Sequence, residues 1–577
     1  MYDRNPILCL VKGLRTKIQQ EQTKHSEMVE NYAYELCVFT FGNGREKYQQ
    51  HCDDLQVRLV APPLAGMNTD EEVQVATGTN IPFPQIADAW EPALTQALDA
   101  YQPDMIVSDM MTLNPTEYAR NSTRKILSVI NVPGPATTIS LFVRPIDYHL
   151  PVVVAGGVCL SIKQLDMFGV LQFFNVSNLG TMAQRVRHNL FGTSTHTPSK
   201  TTTPLILVDS FWGLEAPPSS SSTMFLPRNV IPVGPITMPS SNTNKKDTDA
   251  HIDTILATQH PELYHFVVAA KQRQAHRNNK LLYVTTGSIV GMEPWLVQLL
   301  YRAFQQLILQ HNCSIVWSLK ANQQQYLVED SNSTTATKTK TNLYLSAWVP
   351  QAHLLQSSKY VDGVMTHCGW NGVCECVSGG KPIITIPFFA DQFQNAQLLL
   401  DQGCATSVVY PLPPFTIDSS GKSTYHNDGK GITLQSIVRG CEKILGCVDD
   451  TNNKDTTEAC VNTYVLAAKK LQALAHGPNL GCDVACEYIL HAAHYGVEHL
   501  SCTSGSSNKK NQNSLVLQVT GHRPFIITVV LGVLLGGILY CAMLGYLHFA
   551  KKHTDSMIEI LRRSIQAAAT NVEQEDL

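Results

Sequence analysis

Short apolar runs alternate with helical stretches in two separate parts of the chain. In the first part the runs are YELCVFTF, LQVRLVAP and DMIVSD. From about residue 280 they are LLYVTTGS, CSIVWSL, TNLYLSAWVP, YVDGVMTHCG, KPIITIPFFADQ and CATSVVYPL. Short apolar runs that end in Gly, Pro or polar clusters are typical of buried parallel strands with crossover helices. The pattern predicts an α/β protein with two similar domains facing each other across a cleft, with ligands at the carboxyl ends of the strands.

A stretch rich in Pro, Ser, Thr and Asn separates the two parts and runs from TTTPLILVDS to SSNTNKKDTD. Such composition favours a domain connection. At 577 residues the chain suits two domains of roughly 200 residues each plus smaller segments. We therefore expect an N-terminal domain over 1–236, a linker over 237–256 and a C-terminal domain over 257–500, with a flexible stalk over 501–523.

The segment Pro524–Ala550 contains no Asp, Glu, Lys or Arg and exceeds the roughly 20 apolar residues that cross a bilayer. Lys551 and Lys552 follow directly, which favours a cytosolic tail over 551–577. We therefore predict a single-pass membrane protein of the endoplasmic reticulum with lumenal domains. The alternative topology is a tail anchor, in which the same segment spans the membrane and the domains lie in the cytosol. The glycosylation sequons, which fit the lumenal alternative, begin at Asn121, Asn175, Asn312 and Asn332.

Composition and charge exclude several classes of partner. Apolar residues make up 44% of the chain and charged residues 16%, as in globular proteins. The formal net charge of −4 gives no support to a nucleic-acid partner. The 16 cysteines do not form CxxC pairs matched to histidines, so we expect no zinc site and no other cofactor. Asp247 and Asp249 form a DxD triplet, but it lies in the polar linker, and we interpret it as a solvated charge there.

The segment from residue 348 to 403 contains the most informative pattern. YVDGVMT reads as a strand, HCGWNG as a tight loop, and VCECVSGG as a helix that ends at Gly379 and Gly380. The loop then presents backbone N–H groups at a helix N-terminus, which is a site suited to anions. Gly369 and Gly372 allow the backbone to approach the anion, and His367 can add a donor. This pattern predicts a phosphate site.

Other side chains near this loop fit the remaining parts of a nucleotide sugar. Glu375, predicted in the first turn of the helix, can accept hydrogen bonds from vicinal ribose hydroxyls. Trp348 offers a flat face for a base, and Asp391 with Gln392 follows a strand where sugar hydroxyls can bind. A lone Trp or His is more often structural, so the prediction rests on the combination.

This combination resembles the nucleotide-sugar motif of the family-1 UDP-glycosyltransferases, which include plant secondary-metabolite glycosyltransferases and animal UDP-glucuronosyltransferases. The residues that carry the resemblance are Trp348, Pro350, Gln351, Thr366, His367, Gly369, Asn371, Glu375, Gly379, Pro382, Pro387, Ala390, Asp391, Gln392 and Asn395. VTTGS is similar to the loop that opens the family's C-terminal domain, with Gly287 and Ser288 near the phosphates. The interval from Trp348 to His367 is one residue longer than is usual in the family.

The resemblance implies a GT-B fold, an N-terminal domain that binds the acceptor, and metal-free inverting transfer from a UDP-sugar. It implies donor contacts by Trp348 on uracil, Val349 and Gln351 at the uridine, Glu375 on the ribose, His367, Asn371 and Gly372 on the diphosphate, and Asp391 and Gln392 on the sugar. The expected partners are a UDP-sugar, a small lipophilic acceptor and a membrane, with a homo-oligomer as an open alternative. Neither the sugar nor the acceptor can be read from the residues.

The general base is the part of the expected site where the sequence departs from the family pattern. Asp109 ends the apolar run PDMIVSD and matches the family aspartate that holds the catalytic histidine. Alignment on Asn5 and Pro6 places Asp3 where that histidine belongs. Three hypotheses remain: an enzyme whose N-terminus is incomplete in this sequence, a non-catalytic UDP-sugar-binding membrane protein that regulates an active homologue, or an enzyme with Asp3 or another group as base.

Overall fold

The computed structural model describes residues 6–24, 34–40, 44–61, 83–110, 115–136, 204–215, 228–237, 245–277, 279–287, 291–292, 294–327, 339–388, 391–408, 415–417, 423–425, 432–447 and 462–500. The chain divides into two units, Met1–Cys502 and Thr503–Leu577. The second unit lies outside the described residues. The architecture below is therefore that of the first unit.

The N-terminal part contains four described helices and six strands. The helices are α1 (Pro6–Lys24), α2 (Gly44–Asp54), α3 (Phe83–Tyr101) and α4 (Pro115–Asn121). The strands are β1 (Cys37–Phe39), β2 (Arg58–Val60), β3 (Met105–Asp109), β4 (Leu127–Val132), β5 (Leu205–Val208) and β6 (Val230–Pro232). The three strands predicted from the first set of apolar runs are confirmed as β1, β2 and β3. Strands β4 to β6 were not predicted, and β5 and β6 lie within the Pro- and Ser-rich stretch interpreted as a connection.

These strands form two parallel sheets. β1 pairs with β2, and a separate four-stranded sheet has the order β3-β4-β5-β6. Strand β5 is buried along its whole length, as expected for a strand covered on both faces. The smaller sheet contacts helix α3, since the ring of Phe39 in β1 lies 5.6 Å from that of Tyr101 at the end of α3. Because the four strands of the larger sheet are parallel, their carboxyl ends all lie at one edge.

The C-terminal part is built on a six-stranded parallel sheet with the order β12-β11-β10-β7-β8-β9. Its strands are β7 (Leu281–Thr285), β8 (Ser314–Ser318), β9 (Leu343–Ser346), β10 (Gly363–Thr366), β11 (Ile383–Thr385) and β12 (Ala405–Ser407). The helices of this part are α5 (Lys245–Gln259), α6 (Pro261–Arg277), α7 (Pro294–His311), α8 (Ala321–Gln324), α9 (Gln351–Gln356), α10 (Trp370–Gly379), α11 (Gln392–Asp401), α12 (Leu434–Leu445), α13 (Thr463–Ala475) and α14 (Cys482–Tyr495). A short antiparallel hairpin, β13 (Phe415–Ile417) with β14 (Ser423–Tyr425), stands apart. All six strands predicted from the second set of apolar runs are confirmed.

Helices cover both faces of this sheet. Alternate residues of β7 point into two different cores, with Leu281 and Tyr283 on one side and Leu282 and Val284 on the other. The first core contains residues of α5, α6, α9, α10 and α13, and the second contains residues of α7 and α12. Because β7 and β10 are neighbours in the middle of the sheet, the loops that follow them lie side by side.

Part of the segment predicted as a linker, which contains the DxD triplet, is helical and packs against the core. Residues from Lys245 onward form helix α5, whose Ile252 and Leu256 belong to the first core. Asp249 is buried and accepts hydrogen bonds from the Ser358 hydroxyl (2.6 Å) and the Ser357 hydroxyl (3.2 Å). The interpretation of the DxD triplet as a solvated charge is therefore wrong for Asp249, because helix α5 packs against the loop that follows α9.

The last described helix returns to the N-terminal part. α14 packs against α1, and the thiols of Cys482 and Cys486 donate to the carbonyls of Cys9 and Leu10. Gly13 is needed at this contact, since a Cβ there would lie 2.7 Å from the Cys486 sulfur. The domain boundaries remain predictions, but residues 482–495 pack with the first part of the chain.

The predicted localisation requires a correction. Among the described residues no helix is long and apolar enough to cross a membrane. A single-pass membrane protein is therefore not supported, and the prediction of an endoplasmic-reticulum anchor with lumenal domains is withdrawn. The apolar segment itself, 524–550, lies outside the described residues, as do the predicted stalk and tail.

A lysine, Lys381, is buried between the end of α10 and the start of β11. The Lys381 ammonium donates to the carbonyls of Ser357 (2.7 Å) and Val361 (3.0 Å). Burial, with a smaller contribution from the charge of the nearby Lys469, lowers the pKa of Lys381 from 10.5 to about 7. Between these pH values the unfolded chain binds a proton that the folded chain does not, so the free energy of unfolding rises with pH.

We therefore predict that Lys381→Met changes the pH dependence of stability. Relative to this variant, the unaltered protein should gain up to about 1 kcal/mol of unfolding free energy per pH unit between about pH 7.5 and 9.5. Urea unfolding across this range measures the difference. The exposed Lys443→Met serves as the control and should leave the slope unchanged. Parallel curves for the protein and Lys381→Met would contradict the assignment.

Candidate functional site

The central loop of the site follows strand β10. Thr366 ends the strand, Cys368 adopts a left-handed conformation with φ of 64°, and Gly369 is the N-cap of α10 with extended backbone angles. Helix α10 therefore begins at Trp370, earlier than the predicted start at Val373. The predicted helix N-terminus at the end of a central strand is confirmed, and its first N–H groups have no intrahelical acceptors.

The earlier start changes the position of two predicted groups. Asn371 and Gly372 lie in the first turn of α10 rather than in a loop, and Asn371 is exposed to solvent. Glu375 is the sixth residue of the helix, so its prediction in the first turn is wrong. The helix ends as predicted, with Gly380 in the left-handed conformation that a C-cap favours.

The imidazole of His367 lies against two glycines. A Cβ on Gly369 would lie 2.5 Å from His367 Nε2, and one on Gly287 would lie 2.6 Å from the same nitrogen. Gly287 also has a φ of +74°, and its N–H lies 3.3 Å from Thr285 Oγ1. The loops after β7 and β10 are therefore adjacent. The His367 ring fits between them because Gly287 and Gly369 have no Cβ. Ser288, the predicted neighbour of Gly287, lies outside the described residues.

Trp348 follows β9 and is half-buried. The ring of His260, which joins α5 to α6, lies 5.2 Å from the Trp348 ring at an angle of 51°. Burial lowers the pKa of His260, which favours the neutral imidazole in this contact. Trp348 Nε1 is buried and makes no hydrogen bond within the described part of the chain. Val349, next to it, is buried and accepts from the N–H of Gln351 (2.8 Å).

Gln351 and Glu375 are brought together beneath the loop. Gln351 is the first residue of α9, and its Nε2 donates to Glu375 Oε2. Its Oε1 accepts a hydrogen bond from the hydroxyl of Tyr283 (2.9 Å). All three side chains are buried. The amide of Gln351 thus contacts protein groups on both sides, and Tyr283 is a member of the cluster that the sequence did not reveal.

Asp391 and Gln392 lie at the start of α11. Asp391 is exposed at one side yet crowded by protein, and this desolvation raises its pKa, while a hydrogen bond from Asn395 (2.7 Å) lowers it. Asn395 also donates to the carbonyl of Cys368 (3.0 Å), so it joins Asp391 to the central loop. Gln392 is buried, and its Oε1 accepts from the N–H of Phe388 (2.9 Å).

The N-terminal part contributes a polar cluster at the carboxyl edge of its sheet. Asp109 ends β3 and stands opposite Asn131 in β4, and Asp209 follows β5. Asn131 Nδ2 donates to Asp209 Oδ1 (2.5 Å). Burial raises the pKa of Asp209 well above its usual value, and the charge of Asp109 raises it further. The two carboxyls are therefore close enough to interact, although the sequence pointed to Asp109 alone.

A direct contact joins this cluster to the central loop. The indole Nε1 of Trp370 donates to the backbone carbonyl of Asp209 (3.0 Å), and the Cys374 thiol lies 3.6 Å from the same oxygen. Helix α10 thus contacts the edge of the sheet that ends in Asp109. The structure brings the predicted donor residues that it describes, all except Ser288, to one sheet edge, and Asp109 lies at the edge that α10 contacts. Asp3, the residue at the expected base position, lies outside the described residues.

The glycine contacts lead to a stability prediction. Gly287→Ala should destabilise the fold by about 1–3 kcal/mol, because its Cβ would overlap the His367 ring and its φ is positive. Gly372→Ala is the matched control, since its Cβ would meet Gln351 and Thr366 only at ordinary distances of 3.6 Å or more. Thermal unfolding of both variants tests the difference. Equal stability of the two would mean that His367 does not fill this space.

Comparisons with known sequences match the region of the chain that contains the candidate site. Residues 268–411 match the family model described as UDP-glucoronosyl and UDP-glucosyl transferase. A UDP-glycosyltransferase of Talaromyces amestolkiae is 27% identical over 288 residues, covering 48% of this chain and 49% of the relative. A flavonoid 3-O-glucosyltransferase of Medicago truncatula is 30% identical over 177 residues, covering 30% of this chain and 37% of the relative. The matches thus span about half or less of the curated relatives' length.

Solved structures share the fold. O. sativa Os79 in complex with U2F and trichothecene superposes with a TM-score of 0.55 at 15% identity, covering 84% of this chain and 97% of Os79. A UDP-glucose:anthocyanidin 3-O-glucosyltransferase in complex with UDP gives a TM-score of 0.51, covering 84% of this chain and 95% of that enzyme. At such identities the likeness shows the fold alone. Residues 268–411 are therefore similar to the UDP-glucoronosyl and UDP-glucosyl transferase family, and the chain shares the GT-B-like α/β fold of these solved structures.

Proposed function

We propose that this chain is a glycosyltransferase that moves a hexose or hexuronic acid from a UDP-sugar to a hydroxyl of a small lipophilic acceptor. The observation that carries the proposal is the N-terminus of α10, which opens at a central strand end beside His367 and above the buried Glu375. A helix N-terminus attracts anions through its unpaired N–H groups and dipole. The family match over residues 268–411 supports a UDP-sugar as the anion.

In the proposed complex each part of the donor meets one group of residues. The diphosphate binds the first turn of α10 at Asn371 and Gly372, with Gly369 allowing close approach. Glu375 accepts from the ribose, and Trp348 stacks on uracil with its exposed part, since His260 already contacts its ring. Asp391 and Gln392 contact the sugar. Val349, Gln351, Gly287 and Ser288 complete the proposed donor set.

The proposed reaction is a single inverting displacement. The acceptor oxygen forms a bond to C1 of the sugar while the bond from C1 to the diphosphate oxygen breaks, and UDP leaves. The helix N-terminus and His367 stabilise the charge that develops on UDP, which is the role that a divalent metal has in other transferases. The acceptor proton passes to a base, and we place Asp109 in this step, either as the base or as the group that orients it.

We assign acceptor binding to the N-terminal part, over the proposed domain 1–236. Asp109 at the end of β3, Asn131 near the end of β4 and Asp209 directly after β5 lie at the edge that contacts α10. Relatives named for flavonoid and nuatigenin glucosylation support small hydroxylated acceptors as the class. Such acceptors are largely apolar, with one hydroxyl near the sugar.

The test combines donor binding and turnover. The full chain should bind UDP and release it from UDP-glucose or UDP-glucuronic acid when a phenolic or steroid acceptor is present, without loss of rate in EDTA. Asp109→Asn should retain UDP affinity within about twofold and lose at least about a hundredfold in kcat, the lower range for general-base catalysis. Calorimetry measures the affinity, and a coupled assay measures UDP release.

A second variant tests the donor site. Trp348→Ala should weaken UDP binding by about tenfold, because a base–aromatic stack contributes roughly 1–3 kcal/mol. Tyr344→Phe, in the neighbouring strand β9, is the control and should bind UDP normally. UDP binding without turnover on any acceptor would favour the non-catalytic, regulatory alternative. A chain that does not bind UDP would contradict both.

A further inference from the structure

A buried chain of hydrogen bonds links the middle of the six-stranded sheet to the proposed ribose site. The Tyr283 hydroxyl donates to Gln351 Oε1 at 2.9 Å, and Gln351 Nε2 donates to Glu375 Oε2. The exposed fractions of the three residues are 0%, 3% and 5%. They come from β7, α9 and α10, so three separate elements meet at this chain.

The tyrosine is the unexpected member of the chain. Its neighbours in β7, Leu282 and Val284, are aliphatic, as a strand buried on both faces favours. A fully buried hydroxyl requires a hydrogen-bond partner, and at this position the partner is Gln351. Phenylalanine would fill the same volume without that requirement. The hydroxyl therefore has a role beyond packing.

The chain fixes the orientation of the Gln351 amide. An ionised carboxylate only accepts hydrogen bonds, so the amide nitrogen must face Glu375 and the amide oxygen must face Tyr283. The reverse orientation would place the amide oxygen against the carboxylate of Glu375. The tyrosine hydroxyl stabilises the correct orientation because it donates to the oxygen. Without this donor a buried amide oxygen would lose its partner.

Glu375 is in turn held by Gln351. One carboxylate oxygen, Oε2, accepts from the amide, and this contact determines the direction of the second oxygen. Gly372, one turn earlier in α10, does not crowd this arrangement, since even a Cβ there would lie at an ordinary distance of 3.7 Å from Gln351 Nε2. The carboxylate can therefore present a fixed acceptor to a pair of vicinal hydroxyls.

We propose that Tyr283 is a positioning residue that, through Gln351, holds the Glu375 carboxylate for the ribose hydroxyls and so sets the preference for UDP over 2′-deoxy-UDP. The inference rests on the proposed function, because it assigns the ribose to Glu375. It goes further by naming a residue in the core, remote from the donor, as the source of a specificity. Tyr283 itself does not touch the nucleotide.

The experiment compares the affinities of UDP and 2′-deoxy-UDP by calorimetry in four proteins. The unaltered chain should prefer UDP by about tenfold, the value expected for a hydrogen bond to a charged group. Tyr283→Phe should reduce this preference to about threefold or less, mainly by weakening UDP binding. Tyr360→Phe is the matched control. It removes a buried tyrosine hydroxyl that donates to Asp253 and takes no part in the hydrogen bonds among Tyr283, Gln351 and Glu375. It should leave the preference unchanged.

The fourth protein, Gln351→Met, keeps the side-chain volume but removes the amide, and it should also lose the preference. It keeps the test decisive if Tyr283→Phe does not fold. The inference would be overturned if Tyr283→Phe kept the unaltered protein's preference for UDP. If Tyr283→Phe does not fold, the same result in Gln351→Met would overturn it. Either result would leave the proposed function intact. Failure of the unaltered chain to bind UDP would instead contradict the proposed function itself.

Discussion

The burial of helix α10 is the constraint on which the candidate site depends. Every residue from Val373 to Gly379 is buried, so the helix contacts protein on all its sides beyond the first turn. Its C-terminus is fixed by Gly380 in a left-handed conformation, and its N-terminus follows directly from the central strand β10. The helix cannot shift without disturbing the sheet, and its first N–H groups are therefore held in one place. The hydrogen bond from the Trp370 indole to the Asp209 carbonyl fixes the same end against the N-terminal sheet.

Burying this helix also buries polar groups beside it, and three of them have specific hydrogen-bond partners. Glu375 is held by Gln351, and the Lys381 ammonium donates to two backbone carbonyls at the other end of the helix. Asp249 accepts from two serines that follow α9. A buried polar group without a partner costs about 1–3 kcal/mol, so these contacts restrict how α5, α9 and α10 can pack. The candidate site is thus held in place by the layer beneath it as well as by its own residues.

The sequence predicted the parts of the fold that depend on local patterns. Apolar runs located nine strands, and the glycines of HCGWNG located a helix N-terminus at a strand end. The start of α10 was placed too late because the extended backbone of Gly369 makes it the N-cap, a choice that the residue types around it leave open. Strand β5 was missed because its four apolar residues lie within a stretch of turn-forming composition.

Other features could not be predicted, because they depend on contacts between distant residues. The partner of Tyr283 lies 68 residues away in the sequence, and that of Asp249 lies 109 residues away. A tyrosine among the aliphatic residues Leu281, Leu282 and Val284 of β7 was the one local sign of the first contact. The polar cluster of Asp109, Asn131 and Asp209 needs the order of strands β3 to β5, which local periodicity does not supply. The membrane prediction was based on one apolar segment, the basic residues after it and the sequons, and the described residues give it no support.

A crystal structure of the chain with UDP bound tests the central claim most directly. The account predicts that the diphosphate lies within hydrogen-bond distance of the backbone N–H groups at the start of α10. It also predicts that the ribose hydroxyls contact Glu375 and that uracil lies on the ring of Trp348. UDP bound elsewhere, or bound with its diphosphate away from residues 369–372, would contradict the account.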